Sequence, residues 1–253
     1  MSMLLDERRE SILKIVENKG FVSLVDLMDS VGASESTIRR DLEYLDGIGQ
    51  IRRTRGGAAY SGESLSTFED RSFMSSRQKR QVAQAVANMI SPGEAVLMDG
   101  GTTTLEVARQ LAGKQLQVVT NSLPIANLLV NQPQIDLMLV GGFLFPKTGV
   151  ALGKTAVESL KSVHVRRLII SVGGITEDGL YNSNMLLVET EQQMFEAAEE
   201  VIVVTDSTKF GHSALAYLCP LDRVDHIVVD DGITEEWKDV IRKAGIELTV
   251  VET

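Results

Sequence analysis

The stretch SESTIRRDLEYLDGIGQIRRTRGG, residues 34–57, contains five arginines, although the whole chain of 253 residues has a formal net charge of −10. Within this stretch Ile38, Leu42 and Leu45 follow one another at intervals of four and three, which predicts a helix that buries one face. The two adjacent arginines of the helix then point away from that face, because successive helical residues are turned by about 100°. The stretch therefore predicts a helix with an exposed basic surface.

The same stretch runs into a segment that predicts a β-hairpin. Gly47 and Gly49 end the helix, and the segment QIRRTRGGAAY, residues 50–60, then carries three arginines and no acidic residue. Short runs of strand-forming residues on either side of two glycines predict two strands joined by a turn. A helix that fits the major groove, followed by a basic hairpin, is the pattern of a winged helix-turn-helix.

Two further helices are predicted before the basic one. Residues 5–18 carry apolar side chains at helical spacing, up to a glycine that ends the helix. In FVSLVDLMDSVG, residues 21–32, Ser23 is a helix N-cap and Gly32 permits a tight turn. The alternative is an ordinary three-helix bundle whose arginines form a solvated surface. Arginines on both the third helix and the hairpin favour DNA binding over that alternative.

The charge of the chain is distributed unevenly. Residues 1–60 contain nine Lys and Arg against ten Asp and Glu, so nearly all the excess negative charge lies beyond residue 60. Binding to DNA requires a local cationic surface and not a basic protein as a whole. The residues predicted to contact double-stranded DNA, four on the helix and three on the hairpin, are Ser36, Thr37, Arg39, Arg40, Arg52, Arg53 and Arg55.

The remaining composition limits the chemistry of the chain. Cys219 is the single cysteine, so an internal disulfide is excluded, and the lack of a histidine at catalytic spacing predicts a buried structural thiol. Three scattered histidines fit no usual zinc spacing, and we predict no metal site and no cofactor. An apolar run of the ~20 residues that cross a bilayer is missing, and the charged start is not a signal peptide. The sequence therefore predicts a cytoplasmic protein.

The rest of the chain predicts a linker and a second domain. Residues 61–76, SGESLSTFEDRSFMSS, contain six serines without a helical period and are predicted to be a linker. From residue 77 onward, apolar strands alternate with amphipathic helices, including a helix predicted over residues 188–200. This alternation of strands and helices predicts an α/β fold with a mostly parallel sheet covered on both faces. The predicted organisation is a winged helix over residues 1–60, a linker, and an α/β effector-binding and oligomerisation domain over residues 77–253.

Small and polar residues follow four of the predicted strands. Because the carboxyl ends of parallel strands meet at one edge of a sheet, we expect these segments to lie together. DGGTTT, residues 99–104, also opens a helix, whose first amides suit an anion, and Lys209 suits a phosphate as a point charge. A single glycine-rich turn is usually only turn geometry. Four such segments at one edge favour a polar pocket for a small anionic molecule.

These motifs resemble the DeoR type of transcriptional regulator over almost the full length of the chain. STIRRDL and RTRGGA are the most specific parts of the N-terminal resemblance, and DGGTTT, TNSLPIANLL, GGFL, GVALG and VVTDSTKFG follow in the order and spacing of the effector domain. The resemblance implies a repressor of sugar or carbohydrate metabolism genes that a phosphorylated sugar or related metabolite releases from its operator. Because one small winged helix covers few base pairs, we expect a homodimer or homotetramer.

The effector domain is also similar to ribose-5-phosphate isomerase, which gives an enzymatic alternative. The isomerase loop DGADE falls on VGGIT, residues 172–176, so that Val172 and Ile175 stand in place of the two catalytic acids. An alkyl side chain cannot transfer a proton. Glu191 does fall where the isomerase has its glutamate base, and Lys209 falls on its lysine. The comparison predicts that binding is retained and that catalysis is lost.

The effector site is predicted from the strand ends together with these two resemblances. Regulators of this type often carry basic residues just before the methionine of ETEQQM, where Gln192 and Gln193 stand here. This departure predicts a less charged or differently placed ligand. The residues predicted to contact the effector are Asp99, Gly101, Thr102, Thr103, Asn121, Ser122, Gly142, Gly173, Glu191, Asp206 and Lys209.

Overall fold

A computed structural model describes residues 5–19, 21–47, 50–54, 56–60, 68 and 76–253 of the chain. The chain divides into two units, Met1–Arg71 and Ser72–Thr253. Most of the predicted linker, residues 61–76, lies outside the described residues, and its last residue, Ser76, already begins a helix. None of the helices in the described part of the chain has the length and apolar character needed to span a membrane.

The first unit contains three helices and a small antiparallel sheet. Its elements are α1 (Leu5–Lys19), β1 (Phe21–Ser23), α2 (Leu24–Val31), α3 (Glu35–Gly47), β2 (Ile51–Thr54) and β3 (Gly57–Tyr60). The strands pair in the order β1-β3-β2, so the predicted hairpin is extended by the short strand that precedes α2. The helices and the hairpin predicted for this unit are confirmed.

Local sequence explains the turns of the first unit. The Oγ atom of Ser23 accepts a hydrogen bond from the amide of Asp26 at 3.1 Å and so caps α2. Gly32 ends α2 in the left-handed conformation, with a φ of 66°. A side chain at Gly57 would collide with the carbonyl oxygen of Val22, so only glycine lets β3 run this close to β1.

The second unit alternates strands and helices around one large sheet. Its first half contains α4 (Ser76–Met89), β4 (Ala95–Met98), α5 (Thr102–Leu111), β5 (Leu116–Thr120), α6 (Leu123–Leu129), β6 (Ile135–Leu139), β7 (Phe143–Phe145), β8 (Val150–Leu152) and α7 (Lys154–Leu160). Its second half contains β9 (Val165–Ile170), β10 (Gly174–Thr176), β11 (Gly179–Asn182), α8 (Met185–Glu196), β12 (Ala198–Val204), β13 (Ala216–Cys219), β14 (His226–Asp230), α9 (Glu235–Lys243) and β15 (Glu247–Val251).

The large sheet has seven parallel strands in the order β15-β14-β12-β9-β4-β5-β6. Its central strands are apolar on both faces, as in β4, where Val96, Leu97 and Met98 are fully buried. The chain progresses outward in opposite directions from β4 and from β9. The boundary between these two strands is therefore the topological switch point, where ligands of open α/β sheets bind. The predicted mostly parallel α/β sheet is confirmed.

Three features of the second unit depart from the sequence prediction. The hairpin β7–β8 and the small antiparallel sheet β10-β11-β13 were not predicted. The helix predicted over residues 188–200 is wrong at its end, because α8 stops at Glu196 and β12 begins at Ala198. Parallel pairing with β9, in which Glu200 lies opposite Arg167 and accepts a hydrogen bond from its Nε at 2.7 Å, outweighs the helical preference of AAEE.

Candidate DNA interface and effector site

The basic surface of α3 is built on a buried apolar stripe. Ile38, Leu42 and Leu45 are buried, as predicted, while the two adjacent arginines are exposed. Arg39 forms an ion pair with Glu35 one turn earlier, with its Nη2 atom 2.7 Å from Glu35 Oε1. Arg40 forms no ion pair with any residue in the described part of the chain, and its guanidinium is open to solvent.

The beginning of α3 is rich in hydroxyl groups. The Oγ atom of Ser34 lies 3.1 Å from the Oγ atom of Ser36 and 2.9 Å from the Oγ1 atom of Thr37. The carbonyl oxygen of Ser34 accepts hydrogen bonds from the amides of Thr37 and Ile38. Ser36 remains exposed, so its hydroxyl can reach a ligand beyond the helix, as predicted for a DNA contact.

On the hairpin, Arg53 is the arginine whose side chain the structure describes. The amide of Arg53 donates to Asp46 Oδ1 at 3.0 Å, and its exposed guanidinium lies 3.6 Å from Glu43 Oε1. Arg52 belongs to β2 by its backbone, and Arg55 lies outside the described residues. The wing is therefore anchored to α3 through two acidic side chains of that helix.

Sequence reasoning missed the residue that holds α3 to α1. Asp41 is 1% exposed, and its carboxylate accepts hydrogen bonds from the Nε atoms of Arg8 at 2.6 Å and Arg9 at 3.1 Å. The guanidinium carbon of Arg9 also lies 3.7 Å from the ring centroid of Tyr44. A signal was available, because an acid three residues after Ile38 falls on the buried stripe of the helix.

The polar residues predicted at the carboxyl edge of the large sheet are mostly buried there. Apart from Glu191, which lies on α8, the buried ones follow β4, β5 and β12, on both sides of the switch point. The buried members of the predicted effector set are Asp99, Gly101, Thr102, Thr103, Asn121, Ser122, Glu191 and Asp206.

The glycines of DGGTTT make room for protein atoms. A side chain at Gly100 would collide with Val150 of the β7–β8 hairpin, and one at Gly101 would collide with the Oγ atom of Ser171 after β9. The amide of Gly101 donates to Thr104 Oγ1 at 2.7 Å, so this amide is already bonded within the turn. The glycines therefore serve first for close packing across the switch point.

The β7–β8 hairpin lies over the ends of β4 and β5. The amide of Ala151 donates to the carbonyl of Asn121 at 2.8 Å, and Asn121 Nδ2 donates back to the carbonyl of Ala151 at 3.2 Å. Ser122 caps α6, accepting a hydrogen bond from the amide of Ile125 at 3.4 Å. Gly142 is exposed beyond β6, where an added Cβ would lie 2.7 Å from the carbonyl oxygen of Leu152. The hairpin thus closes this end of the site with main-chain bonds.

A carboxyl pair lies beside the switch point. Glu191 on α8 is fully buried, and its Oε1 atom accepts a hydrogen bond from Asn182 Nδ2 at 2.7 Å. Burial and the negative charge of nearby Asp99 raise the pKa of Glu191 well above its usual range, although the bond from Asn182 opposes them. Burial and Asp99 therefore favour the uncharged form of Glu191. Gly173 reaches the same region, because its amide donates to Tyr181, next to Asn182, at 2.9 Å.

Two cations lie at the end of β12. Burial alone would raise the pKa of Asp206, but the charge of Lys209, the hydrogen bonds from Thr208 and the charge of Lys79 together lower it. Lys79 comes from the first turns of α4 and is only 6% exposed. Sequence reasoning missed Lys79, because nothing in a helical stretch more than a hundred residues away in the chain points to the end of β12.

The residues aligned with the isomerase acids cannot perform its chemistry. Val172 and Ile175 are apolar and buried, which leaves no proton-transferring group at either position.

Gln192 and Gln193 lie on a surface other than the carboxyl edge of the large sheet. They line a groove of about 510 Å³ between α8 and β13, together with Arg223 and Cys219, and Gln192 Nε2 donates to the carbonyl of Leu218 at 2.9 Å. Cys219 is buried, as predicted, and burial raises the pKa of its thiol to about 12.

Comparisons with known proteins match both units of the chain. A family described as "DeoR-like helix-turn-helix domain" matches residues 8–63, and one described as "DeoR C terminal sensor domain" matches residues 74–231. The chain is 36% identical to the "Putative aga operon transcriptional repressor" of Escherichia coli O157:H7, over 97% of this chain and 93% of that protein. It is 26% identical to the "HTH-type transcriptional regulator UlaR" of Escherichia coli O1:K1 / APEC, over 96% of this chain and 97% of that one. The solved structure of ribose 5 phosphate isomerase A from Neisseria gonorrhoeae superposes with a TM-score of 0.38 and 16% identity, over 54% of each chain.

Proposed function

Because the chain belongs to the DeoR family of DNA-binding transcriptional regulators, and not to a family of enzymes, we propose that it represses genes of sugar or carbohydrate metabolism. In this proposal a phosphorylated sugar or a related metabolite releases it from its operator. The name of the 36% identical relative, which describes a transcriptional repressor, supports repression over activation.

The observation that carries the effector proposal is the pair of cations around Asp206. Lys79 and Lys209 place two positive charges near the carboxylate of Asp206, so an anionic group bound at the end of β12 would meet two cations. The site is also buried, and electrostatic attraction is stronger away from water. A phosphate is therefore the ligand group that this end of the sheet suits best.

The DNA-facing proposal rests on exposure of charge. Arg40 presents an open guanidinium from a helix whose opposite face is buried, and Ser36 lies exposed one turn earlier. Arginine at such a position can bond guanine edges or phosphates in the major groove. Arg39, Thr37 and the wing arginine Arg53 complete the proposed contacts among the described residues.

The proposed release follows from differential binding. An effector can detach the protein from DNA only if it binds the DNA-incompetent arrangement more tightly, typically by ~1–3 kcal/mol. One winged helix covers few base pairs, so we propose that a homodimer or homotetramer binds the operator. Such a protein acts where the DNA is, in the cytoplasm.

The test is a titration of sugar phosphates against the purified protein bound to DNA from upstream of its own gene, with unphosphorylated sugars as controls. We expect at least one phosphorylated sugar to release the parental protein. Lys209→Ala should need a roughly tenfold higher concentration of that sugar, because a charge-assisted bond is lost. DNA affinity without ligand should be unchanged.

Lys243→Ala is the matched control, since Lys243 is an exposed lysine on α9. Equal release midpoints for Lys209→Ala and Lys243→Ala would remove Lys209 from the effector site. Release by unphosphorylated sugars alone would contradict the proposed ligand class.

A further inference from the structure

Two fully buried polar side chains at the carboxyl edge each have one oxygen without a hydrogen-bonding partner among the described residues. Asn121 and Glu191 are both 0% exposed. Asn121 uses its Nδ2 to bond Ala151 and leaves Oδ1 unbonded, and Glu191 uses Oε1 to accept from Asn182 and leaves Oε2 unbonded. Buried polar atoms in folded proteins are nearly always bonded, so such atoms point to a ligand.

The two side chains converge on the end of β4. Met98 pairs with Thr120 in the parallel register, so the next residues, Asp99 and Asn121, lie on neighbouring strands at the same height. Glu191 lies close enough to Asp99 for the charge of that carboxylate to act on it. Asp99 therefore connects Asn121 on one side with Glu191 on the other.

The end of β4, with Asn121 and Glu191 beside it, differs chemically from the end of β12, where Lys79 and Lys209 lie. Burial and the charge of Asp99 raise the pKa of Glu191 and so favour its protonated form, in which the unbonded oxygen can donate one hydrogen bond. The Oδ1 atom of Asn121 can only accept. The carboxylate of Asp99 beside them repels anions, so this end does not suit a phosphate.

The spacing of the strands separates the two ends of the site. The cations surround Asp206 after β12, and β9 lies between β12 and β4. Two strand spacings, about 10 Å, separate the end of β12 from the end of β4, which is roughly the reach of a five- or six-carbon chain that ends in a phosphate. A ligand anchored by its anionic group at β12 would therefore place its other end beside Asp99 and Glu191, and Asn121 lies one strand farther on, after β5.

We propose that Asn121 and Glu191 select the uncharged end of the effector, with the Glu191 acid donating from Oε2 to a ligand carbonyl or ether oxygen and Asn121 Oδ1 accepting from a ligand hydroxyl. This inference rests on the proposed effector function of the edge, and it assigns the ligand class more narrowly. The effector carries an acceptor oxygen and a hydroxyl at the end opposite its anionic group.

The competing explanation is structural, in which Glu191 only fastens α8 to β11 through Asn182. Thermal unfolding without ligand distinguishes the two. A residue kept for a ligand is not optimised for stability, so Glu191→Met, which removes a buried acid at similar volume, should unfold at the parental temperature or above. A melting temperature several degrees lower would overturn the inference in favour of the structural explanation.

The second arm measures release in cells, with a reporter gene behind DNA from upstream of the gene for this chain, on a series of carbon sources. We expect the parental protein to be released at least tenfold on one of them, and Glu191→Met to stay repressed there. Glu191→Gln, which keeps a donor in the same place, should respond nearly as the parent does. Glu189→Gln, an exposed acid on the same helix, is the matched control.

The outcomes separate this inference from the proposed function. Full release of Glu191→Met overturns the role of Glu191, whatever the effector is. Absence of release of the parental protein on every carbon source would count against the proposed function, and the melting temperature of Glu191→Met would then decide the inference alone.

Discussion

The two functional surfaces of this chain place their polar groups in opposite environments. On α3 and the wing, the arginines whose side chains the structure describes, Arg39, Arg40 and Arg53, are exposed, and Arg39 keeps 53% of its side-chain surface in solvent. At the carboxyl edge of the large sheet, Asp99, Asn121 and Glu191 have almost none. A DNA surface must meet a large, hydrated partner, whereas a small-molecule site works by enclosing its ligand.

This difference predicts how each region responds to substitution. An exposed arginine can be removed without leaving a buried group unbonded, so function should change while the fold does not. A buried polar residue lies inside the packed fold, so its substitution changes the site from within, and the effect on stability depends on whether its bonding partners keep a partner. Asp41 is a charged residue that is buried within the DNA-binding unit, so it gives the strongest test of the contrast.

Asp41→Ala should have the largest effect on stability. It leaves the guanidinium groups of Arg8 and Arg9 without their shared partner, and breaking a buried ion pair by removing one member costs about 3–5 kcal/mol. We expect the N-terminal unit to unfold at lower denaturant concentration and DNA binding to be lost with it. Glu10→Ala, which breaks the exposed pair with Lys14, should cost under ~1 kcal/mol. Equal denaturant midpoints for the two variants would contradict the role of Asp41.

Arg40→Ala should abolish specific DNA binding while the unfolding curve stays parental. A good base contact contributes ~1–3 kcal/mol, which corresponds to roughly a tenfold to hundredfold loss of affinity. Arg39→Ala should have a smaller effect, because the guanidinium of Arg39 is shared with Glu35. The measurement is a gel shift with upstream DNA for both variants. If Arg40→Ala bound this DNA with the parental affinity, the proposed role of Arg40 as a DNA contact would be wrong.

Glu191→Gln should reduce the dependence of stability on pH. The pKa of Glu191 is raised in the folded protein, so its stabilisation is complete below the unfolded-state pKa and is lost as pH rises through the folded one. As the pH rises above the unfolded-state pKa of a glutamate, the parental melting temperature should therefore fall more than that of Glu191→Gln. The other titratable groups that act on this site are Asp99 and Cys219, which both variants share. Parallel curves would mean that Glu191 does not titrate in this range.

Arg53→Ala should have the smallest effect and a different signature. Its guanidinium is exposed and lies 3.6 Å from Glu43, so removing it leaves the hairpin intact. A phosphate contact carries no sequence information, so affinity should fall equally for operator and unrelated DNA, and the slope of log affinity against log salt should drop by about one. A loss confined to the operator would reassign Arg53 to base recognition.

The fold was predictable wherever a local pattern determines it. The stripe of α3, the cap at Ser23 and the apolar strands all follow from spacing and residue type. Most of the elements that the sequence did not predict depend on partners distant in the chain. The sequence around Ala198 and Glu200 predicts a helix, but these residues form a strand because β9 lies beside them. The short strand β13 pairs with β11, which lies far from it in the chain, whereas the β7–β8 hairpin is local and its pattern was missed.

In the candidate sites, too, some residues are predictable from local sequence and others depend on packing between distant elements. The strand-end motifs placed Asp99, Asn121 and Asp206 at one edge correctly, because parallel topology brings such ends together. Lys79 could not be found from the sequence, since its nearness to Asp206 depends on how α4 packs. The same holds for the role of Gly100, whose missing side chain accommodates Val150 from the hairpin.

The buried thiol of Cys219 can be used to detect unfolding of the second unit. Burial raises the pKa of this thiol to about 12, so very little of it is thiolate at neutral pH, and only 8% of the residue is exposed. Because Cys219 is the only cysteine of the chain, a maleimide added to the folded protein labels molecules whose effector unit has opened. A substitution that unfolds only the winged helix should not raise that labelling rate, so the rate reports whether the second unit of a variant has unfolded.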